Sequence, residues 1–249
     1  MKVLRPFFSF YGAKWRAAAH YPAPEHPVIV EPFAGSAGYS LRYYARRIVL
    51  VDRDPLIAAL WRYLIRVRAS EIRSLPDIKA DQTVDDLGVC EEARWLIGFW
   101  SNQGSSYPHK RPSTWAREYP EKFWGEARRE RVASQVEHIR HWSVIEGDYS
   151  SAPDARATWF VDPPYEKAGT HYKHSSKAIE FGHLGEWCRR RRGQVIVCEN
   201  VGAEWLPFEP WRDILSGGQG TRRSNKSAEA IWYRRDVDVW AGRESSWRG

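Results

Sequence analysis

Val28-Ile29-Val30-Glu31-Pro32-Phe33-Ala34-Gly35-Ser36-Ala37-Gly38 is the stretch that decides the fold. Three β-branched residues read as a short buried strand, Pro32 interrupts it, small residues carry the chain through a turn, and Tyr39 to Arg47 has helix-like composition. A strand, a glycine-containing turn and a helix make the nucleotide-binding opening of a doubly wound sheet, with small residues where backbone approaches the ligand. Only Gly35 and Gly38 are present where a dinucleotide fingerprint has three glycines, which disfavours a dinucleotide and leaves an adenosine-type ligand. Ile48-Val49-Leu50-Val51 is a second apolar strand. It ends at Asp52, about 20 residues after the first turn begins, where an acidic side chain accepts hydrogen bonds from ribose hydroxyls.

Further strands follow at intervals, so the chain reads as α/β. Ser143 to Glu146 ends at Gly147-Asp148-Tyr149, Ala157 to Val161 ends at Asp162-Pro163-Pro164-Tyr165, and Gln194 to Cys198 and Glu229 to Tyr233 complete the set. Strand ends of a doubly wound sheet line its cleft, which puts Asp148 and Tyr149 along it. Residues 55–142 break the rhythm. Leu56, Leu60, Tyr63, Leu64 and Val67 recur at helical spacing near one end, and Val132, Val136 and Ile139, with Trp142, near the other. The division is therefore 1–54 with 143–249, and a mainly helical insert over 55–142.

Asp162-Pro163-Pro164-Tyr165 carries the chemistry. Each proline fixes its own φ and keeps the preceding residue extended, so backbone carbonyls are held in set directions beside the Asp162 carboxylate. That set suits an exocyclic amine, its N–H groups accepted by Asp162 and the Pro163 carbonyl while Tyr165 stacks on the attached ring. Alone, the tetrapeptide reads equally as a turn closing a strand. Phe10-Tyr11-Gly12-Ala13-Lys14 places a small-residue turn before a lysine that can meet a carboxylate as a point charge, or else be solvated.

The formal charge is +7, with 38 Lys+Arg against 31 Asp+Glu, which favours a polyanionic partner over an acidic small substrate. Fourteen Trp and twelve Tyr leave aromatic surface beyond the needs of a core, suited to stacking on bases. Base-edge and phosphate contacts are expected from Asn102, Gln103 and Arg111 in the polar loop 101–113, from Arg128, Arg129 and Arg131 on a helix, and from Arg222, Arg223 and Lys226 in the basic connection before the last strand. A long polar loop containing His171, Tyr172, Lys173 and His174 follows the tetrapeptide and fits a segment that orders on nucleic acid. Three scattered cysteines and two isolated His-x-x-His pairs disfavour disulfides and metal, and no run approaches the ~20 apolar residues of a membrane span. The reading is of a soluble intracellular protein.

With those residues set out, the chain resembles the DNA adenine methylase (Dam-like) family of S-adenosylmethionine-dependent N6-adenine methyltransferases. Phe10-Tyr11-Gly12-Ala13-Lys14 looks like the family's lysine motif, Glu31-Pro32-Phe33-Ala34-Gly35-Ser36 its cofactor motif, Asp52 its ribose ligand, Asp148-Tyr149 its adenine-side motif, and Asp162-Pro163-Pro164-Tyr165 its catalytic motif. The resemblance covers roughly 6–54 and 143–235. The insert matches only in position and helical character, and Asn102-Gln103-Gly104 departs from the family's Asn-Gly-x-x-Arg, so no target sequence carries over. The resemblance implies a Rossmann-like methyltransferase fold, a mainly parallel sheet with a C-terminal antiparallel strand, and a target-recognition insert. It implies catalytic residues Asp162, Pro163, Pro164 and Tyr165, and S-adenosylmethionine held by Phe10, Tyr11, Lys14, Glu31, Phe33, Gly35, Asp52, Asp148, Tyr149 and Asp162. It also implies a cytoplasmic, nucleoid-associated monomer or weak dimer acting without metal on a flipped adenine in duplex DNA. The alternatives are an N4-cytosine DNA or N6-adenine RNA methyltransferase, and an inactive DNA-binding module.

Overall fold

A computed structural model describes residues 3–102, 104–119, 122–167, 176–215 and 226–236. Seven strands form one mixed sheet in the order β3-β2-β1-β4-β5-β7-β6. They are β1 (Val28–Glu31), β2 (Arg47–Asp52), β3 (Ser143–Glu146), β4 (Arg156–Val161), β5 (Arg192–Asn200), β6 (Glu209–Leu215) and β7 (Lys226–Arg234). The pairs joining β1 to β5 are all parallel, and β7 runs antiparallel to both neighbours. The fold is α/β, as the strand spacing predicts.

Alternation along the strands covers both faces. Ile29, Ile48, Leu50, Phe160 and Ile196 enter one cluster, with the amino-terminal arm and the helices of residues 55–142. Val30, Val49, Val51, Trp159, Val161, Val195 and Val197 enter the other, with helix residues Leu184, Trp187 and Cys188. Side chains of period two on a sheet packed on both sides give this division.

Among the described residues the α-helices are α1 (Pro55–Arg66), α2 (Ala69–Arg73), α3 (Glu91–Ser101), α4 (Thr114–Glu118), α5 (Glu126–Val136) and α6 (Phe181–Arg189). Asp54 caps α1 by accepting from the Leu56 N–H at 3.1 Å, and Pro55 occupies the first turn, where no donor is needed. The insert does not form its own core: Trp61, Leu64, Leu96, Phe99 and Val132 share one cluster with Phe7 and Ile48. No helix among the described residues is long and apolar enough to cross a membrane.

Two elements differ from the sequence reading. The expected helix from Tyr39 to Arg47 is only a 3-10 turn, Ser40–Arg42. Tyr39 is drawn into the sheet core, stacked on Phe160 at 4.5 Å with its hydroxyl donating to the Pro22 carbonyl at 2.7 Å, and β2 begins at Arg47 before a second turn can form. Strand β6 carries Pro210, which has no ladder donor and hides the strand in the sequence. It lies at the sheet edge, with a register shift between Pro210 and Arg212.

Candidate functional site

Strand β1 sits in the middle of the parallel set, so the loops leaving β1, β2, β3 and β4 open into one cleft at their carboxyl ends. A cavity of about 250 Å³ lies there. All ten residues expected to hold the cofactor line it: Phe10, Tyr11, Lys14, Glu31, Phe33, Gly35, Asp52, Asp148, Tyr149 and Asp162. They come from the arm and four different strand ends.

The turn after β1 is built by backbone bonds. Ala34 N–H donates to the Val51 carbonyl at 3.0 Å, Ala37 N–H to the Ala34 carbonyl at 2.6 Å, and Gly35 N–H to Asp52 Oδ2 at 2.9 Å. Gly35 has φ +43°, and its carbonyl accepts from Trp61 Nε1 at 2.8 Å. Ala37, at φ +52°, is the one non-glycine residue with positive φ among the described residues, a strain held by this lattice of bonds. Gly38 makes room for the arm, since a Cβ there would lie 2.6 Å from Trp15 N and 2.9 Å from Lys14 C.

Asp52 Oδ1 accepts a second backbone donor, Asp54 N–H, at 2.9 Å. Burial pushes its carboxyl up to about 6 against the lowering effect of those two donors. Glu31 is 2% exposed and accepts from the Ser40 N–H at 2.6 Å; burial raises it to about 8. Asp148 accepts from Ser150 Oγ at 2.6 Å and Ser150 N–H at 2.9 Å, and the Ser150 hydroxyl leads in holding it below the usual carboxylate range. Tyr149 stacks on Phe33 with ring centres 5.6 Å apart, and its hydroxyl meets His183 Nδ1 at 2.7 Å.

The carboxylate after β4 meets the lysine of the arm. Lys14 Nζ lies 3.0 Å from Asp162 Oδ1 and 4.7 Å from the centre of the Tyr165 ring. Burial alone would lower the Lys14 pKa; Asp162, Tyr165 and Glu229 outweigh it and hold the ammonium well above the ordinary lysine value. Burial raises Asp162 to about 6 although Lys14 pulls it down. Above that pH the pair is an ammonium and a carboxylate.

Asp162 and Pro164 line the cavity, whereas Pro163 is buried and Tyr165 packs behind the wall against the larger core cluster. The Tyr165 hydroxyl donates to Glu229 Oε1 at 3.4 Å. Glu229, which sequence reasoning missed as a site residue, is 6% exposed on β7 and also accepts from the Tyr21 hydroxyl. The signal was a carboxylate in the apolar run Ala228-Glu229-Ala230-Ile231. Its use depends on β7 running backwards, which brings the amino end of β7 beside Asn200 at the end of β5.

The expected nucleic-acid contacts divide. Asn102 Nδ2 is 3.1 Å from His109 Nε2 within the polar loop, and that loop is tied to the arm by Tyr11 N–H donating to the Ser105 carbonyl at 3.0 Å. Ser106 of the loop reaches the cavity, and Arg111 is exposed. Arg129 is ion-paired with Asp77. Arg128 donates from Nη2 to the Lys122 carbonyl at 2.8 Å, and Arg128 and Arg131 lie over the Trp100 ring, at 4.9 and 5.0 Å from its centre. Tyr107, stacked on His109, and Trp115 and Tyr119, both under Lys122, are exposed. Lys226 opens β7, while Gln103, Arg222, Arg223 and the loop with His171, Tyr172, Lys173 and His174 lie outside the described residues.

No protein-family model matches the chain, and no curated protein matches it. The functional reading therefore rests on the motifs and on the geometry of this cleft.

Proposed function

We propose that the chain is an S-adenosylmethionine-dependent DNA methyltransferase that modifies N6 of a flipped-out adenine, with a Rossmann-like methyltransferase domain over 1–54 and 143–249 and a target-recognition insert over 55–142. The observation that carries this is the convergence of Gly35, Asp52, Asp148, Tyr149, Asp162 and Lys14 on one cavity. The donor set fits the cofactor. Asp52 has carboxylate oxygens for ribose hydroxyls, Phe33 and Tyr149 offer aromatic surface to an adenine, and the Gly35 turn admits close approach of backbone.

S-adenosylmethionine, when bound, supplies an electrophilic methyl group on a sulfonium. Asp52, Phe33 and Tyr149 hold and orient the nucleoside. Adenine N6 is a weak nucleophile because its lone pair is delocalised into the ring. The Asp162 carboxylate and the Pro163 carbonyl accept its N–H groups and favour the pyramidal amine, a gain realised as the reaction proceeds. Lys14 keeps Asp162 ionised in a partly buried position. An acceptor with a pKa of about 6 is also well matched to taking the released N6 proton at neutral pH. Tyr165, expected to stack on the base, instead lies behind the wall with its ring against Lys14 and its hydroxyl on Glu229, and the arginines and exposed aromatics beside the loop meet the DNA.

Methyl transfer to plasmid DNA from labelled cofactor, followed by nucleoside analysis, tests the reading. N6-methyladenine is the expected product. Asp162→Ala should lose roughly a hundredfold or more in rate while still binding cofactor by calorimetry. The rate should rise with pH through about 6, as Asp162 and Asp52 ionise, and then level off. Near-normal turnover in Asp162→Ala would sink the assignment, and N4-methylcytosine or an RNA-only product would replace it.

A further inference from the structure

We infer that Glu229 is a positioning residue for Asp162: from behind the cavity wall it anchors the Lys14 ammonium in the place from which it acts on the Asp162 carboxylate, and it holds the Tyr165 ring against that lysine. The inference rests on the methyl-transfer reading, because it gives Glu229 a part in that reaction.

Three donors surround the Glu229 carboxylate. Tyr21 OH donates to Oε2, Tyr165 OH donates to Oε1 at 3.4 Å, and Lys14 Nζ lies 3.8 Å from Oε1. The same Lys14 Nζ is 3.0 Å from Asp162 Oδ1. One ammonium is thus shared between two carboxylates, one facing the cavity and one behind it. Glu229 does not line the cavity, so it acts through Lys14 and Tyr165.

A buried lysine with a single carboxylate partner is poorly determined, since both charges lose hydration and the lysine stem keeps its rotamers. A second carboxylate on the opposite side fixes Nζ and supports its charge. The Tyr165 hydroxyl donates to the same carboxylate, so the ammonium beside Asp162 and the ring beneath that ammonium are both set by a residue on a different strand. The groups acting on Asp162 are Lys14 from the arm, Tyr165 from the loop after β4 and Glu229 from β7, with Glu31 on β1, Tyr21 before β1 and Cys198 on β5 also coupled to it. Glu229 opposes ionisation of Asp162, whereas Lys14 and Tyr165 favour it.

Glu229→Gln tests this, because it preserves shape and removes the charge. In the methyl-transfer assay kcat should fall roughly tenfold or more with KM for cofactor and DNA unchanged, the signature of an interaction felt only in the transition state. The acid limb of the pH profile should move to lower pH, since the Glu229 charge no longer opposes ionisation of Asp162. Glu229→Asp, which keeps the charge on a shorter stem, should leave the acid limb at its wild-type position. An unmoved limb in Glu229→Gln, or an equal movement in Glu229→Asp, overturns the inference.

A readout independent of turnover is the carboxyl-carbon NMR titration of Asp162 in the cofactor-free protein, assigned by Asp162→Asn. Its midpoint should be lower in Glu229→Gln than in wild type. An unchanged midpoint defeats the role given to Glu229. A lowered midpoint together with no methyl transfer by the wild-type protein defeats the enzymatic reading instead. If Glu229→Gln does not fold, Tyr21→Phe serves, since its ring stays packed on Phe160 at 5.3 Å and only the hydroxyl on Glu229 is lost. In that variant kcat should fall with KM unchanged, and an unaltered kcat overturns the proposal.

Discussion

Glu31 shows what the cleft does to single residues. Its carboxyl is raised by burial from 4.5 to about 8, so the folded protein holds a proton there that the unfolded chain has released. The sign follows. The stabilisation is fully present below pH 4.5, declines as the unfolded chain ionises, and is gone above about 8. Between those limits the slope is roughly 1.4 kcal/mol per pH unit. Glu31→Gln keeps an acceptor for the Ser40 N–H and removes the titration. Denaturant unfolding from pH 5 to 8 should therefore show the variant gaining on wild type as pH rises; parallel curves would show that Glu31 does not titrate in this window. Asp52, Asp148 and Asp162 were legible because strand ends of a parallel sheet share one cleft, whereas Glu31 was expected there only through the resemblance of its motif. Glu229 was not legible, because its relevance depends on the reversed direction of β7, which the composition of an apolar strand does not encode.

At the scale of elements, the arm and the turn after β1 are fitted to each other at Gly38. A methyl group there meets backbone atoms of Trp15 and Lys14, which cannot swing aside as a side chain would. Gly38→Ala should destabilise the protein by about 1–3 kcal/mol and weaken cofactor binding by displacing Lys14. Gly88→Ala, where nothing lies within 4 Å, should change stability by less than about 0.5 kcal/mol. Equal effects in the two variants would remove the arm from the site. Periodicity revealed that α1 exists but only part of its face: Leu60 and Leu64 are buried as expected, while Ile57, Ala58 and Trp61 complete the face and Val67 lies just past the helix end. It misread Tyr39 to Arg47, where Tyr39 serves the sheet core rather than a helix face, and it passed over β6, whose Pro210 is tolerated only because the strand is an edge.

For the molecule as a whole, the net charge of +7 pointed to a polyanion but not to a surface. The three arginines expected to act together on α5 have different surroundings. Arg129 is paired with the Asp77 carboxylate, while Arg128, which donates to the neutral Lys122 carbonyl at 2.8 Å, lies with Arg131 over Trp100. Arg128→Ala and Arg131→Ala should each reduce the magnitude of the log affinity against log salt slope for duplex DNA by about one, and Arg129→Ala should leave it unchanged. Fluorescence anisotropy at several salt concentrations measures this, and equal slopes in all three variants would move the phosphate contacts elsewhere. The helical character of 55–142 was legible, but not that its core continues into the sheet, because an apolar face announces that it is covered and not by what.

The hydrogen bond between Tyr21 and Glu229 joins residues 208 apart in sequence, and Arg5 meets Gln135 across 130. Contacts of such separation need both distant segments of the chain to be present before they can close. The Lys14 pocket therefore has no partial version on a growing chain. Until β7 has emerged from the ribosome and paired, the arm lacks the carboxylate that steadies its lysine, so a chain truncated before β7 cannot hold the site as the full chain does.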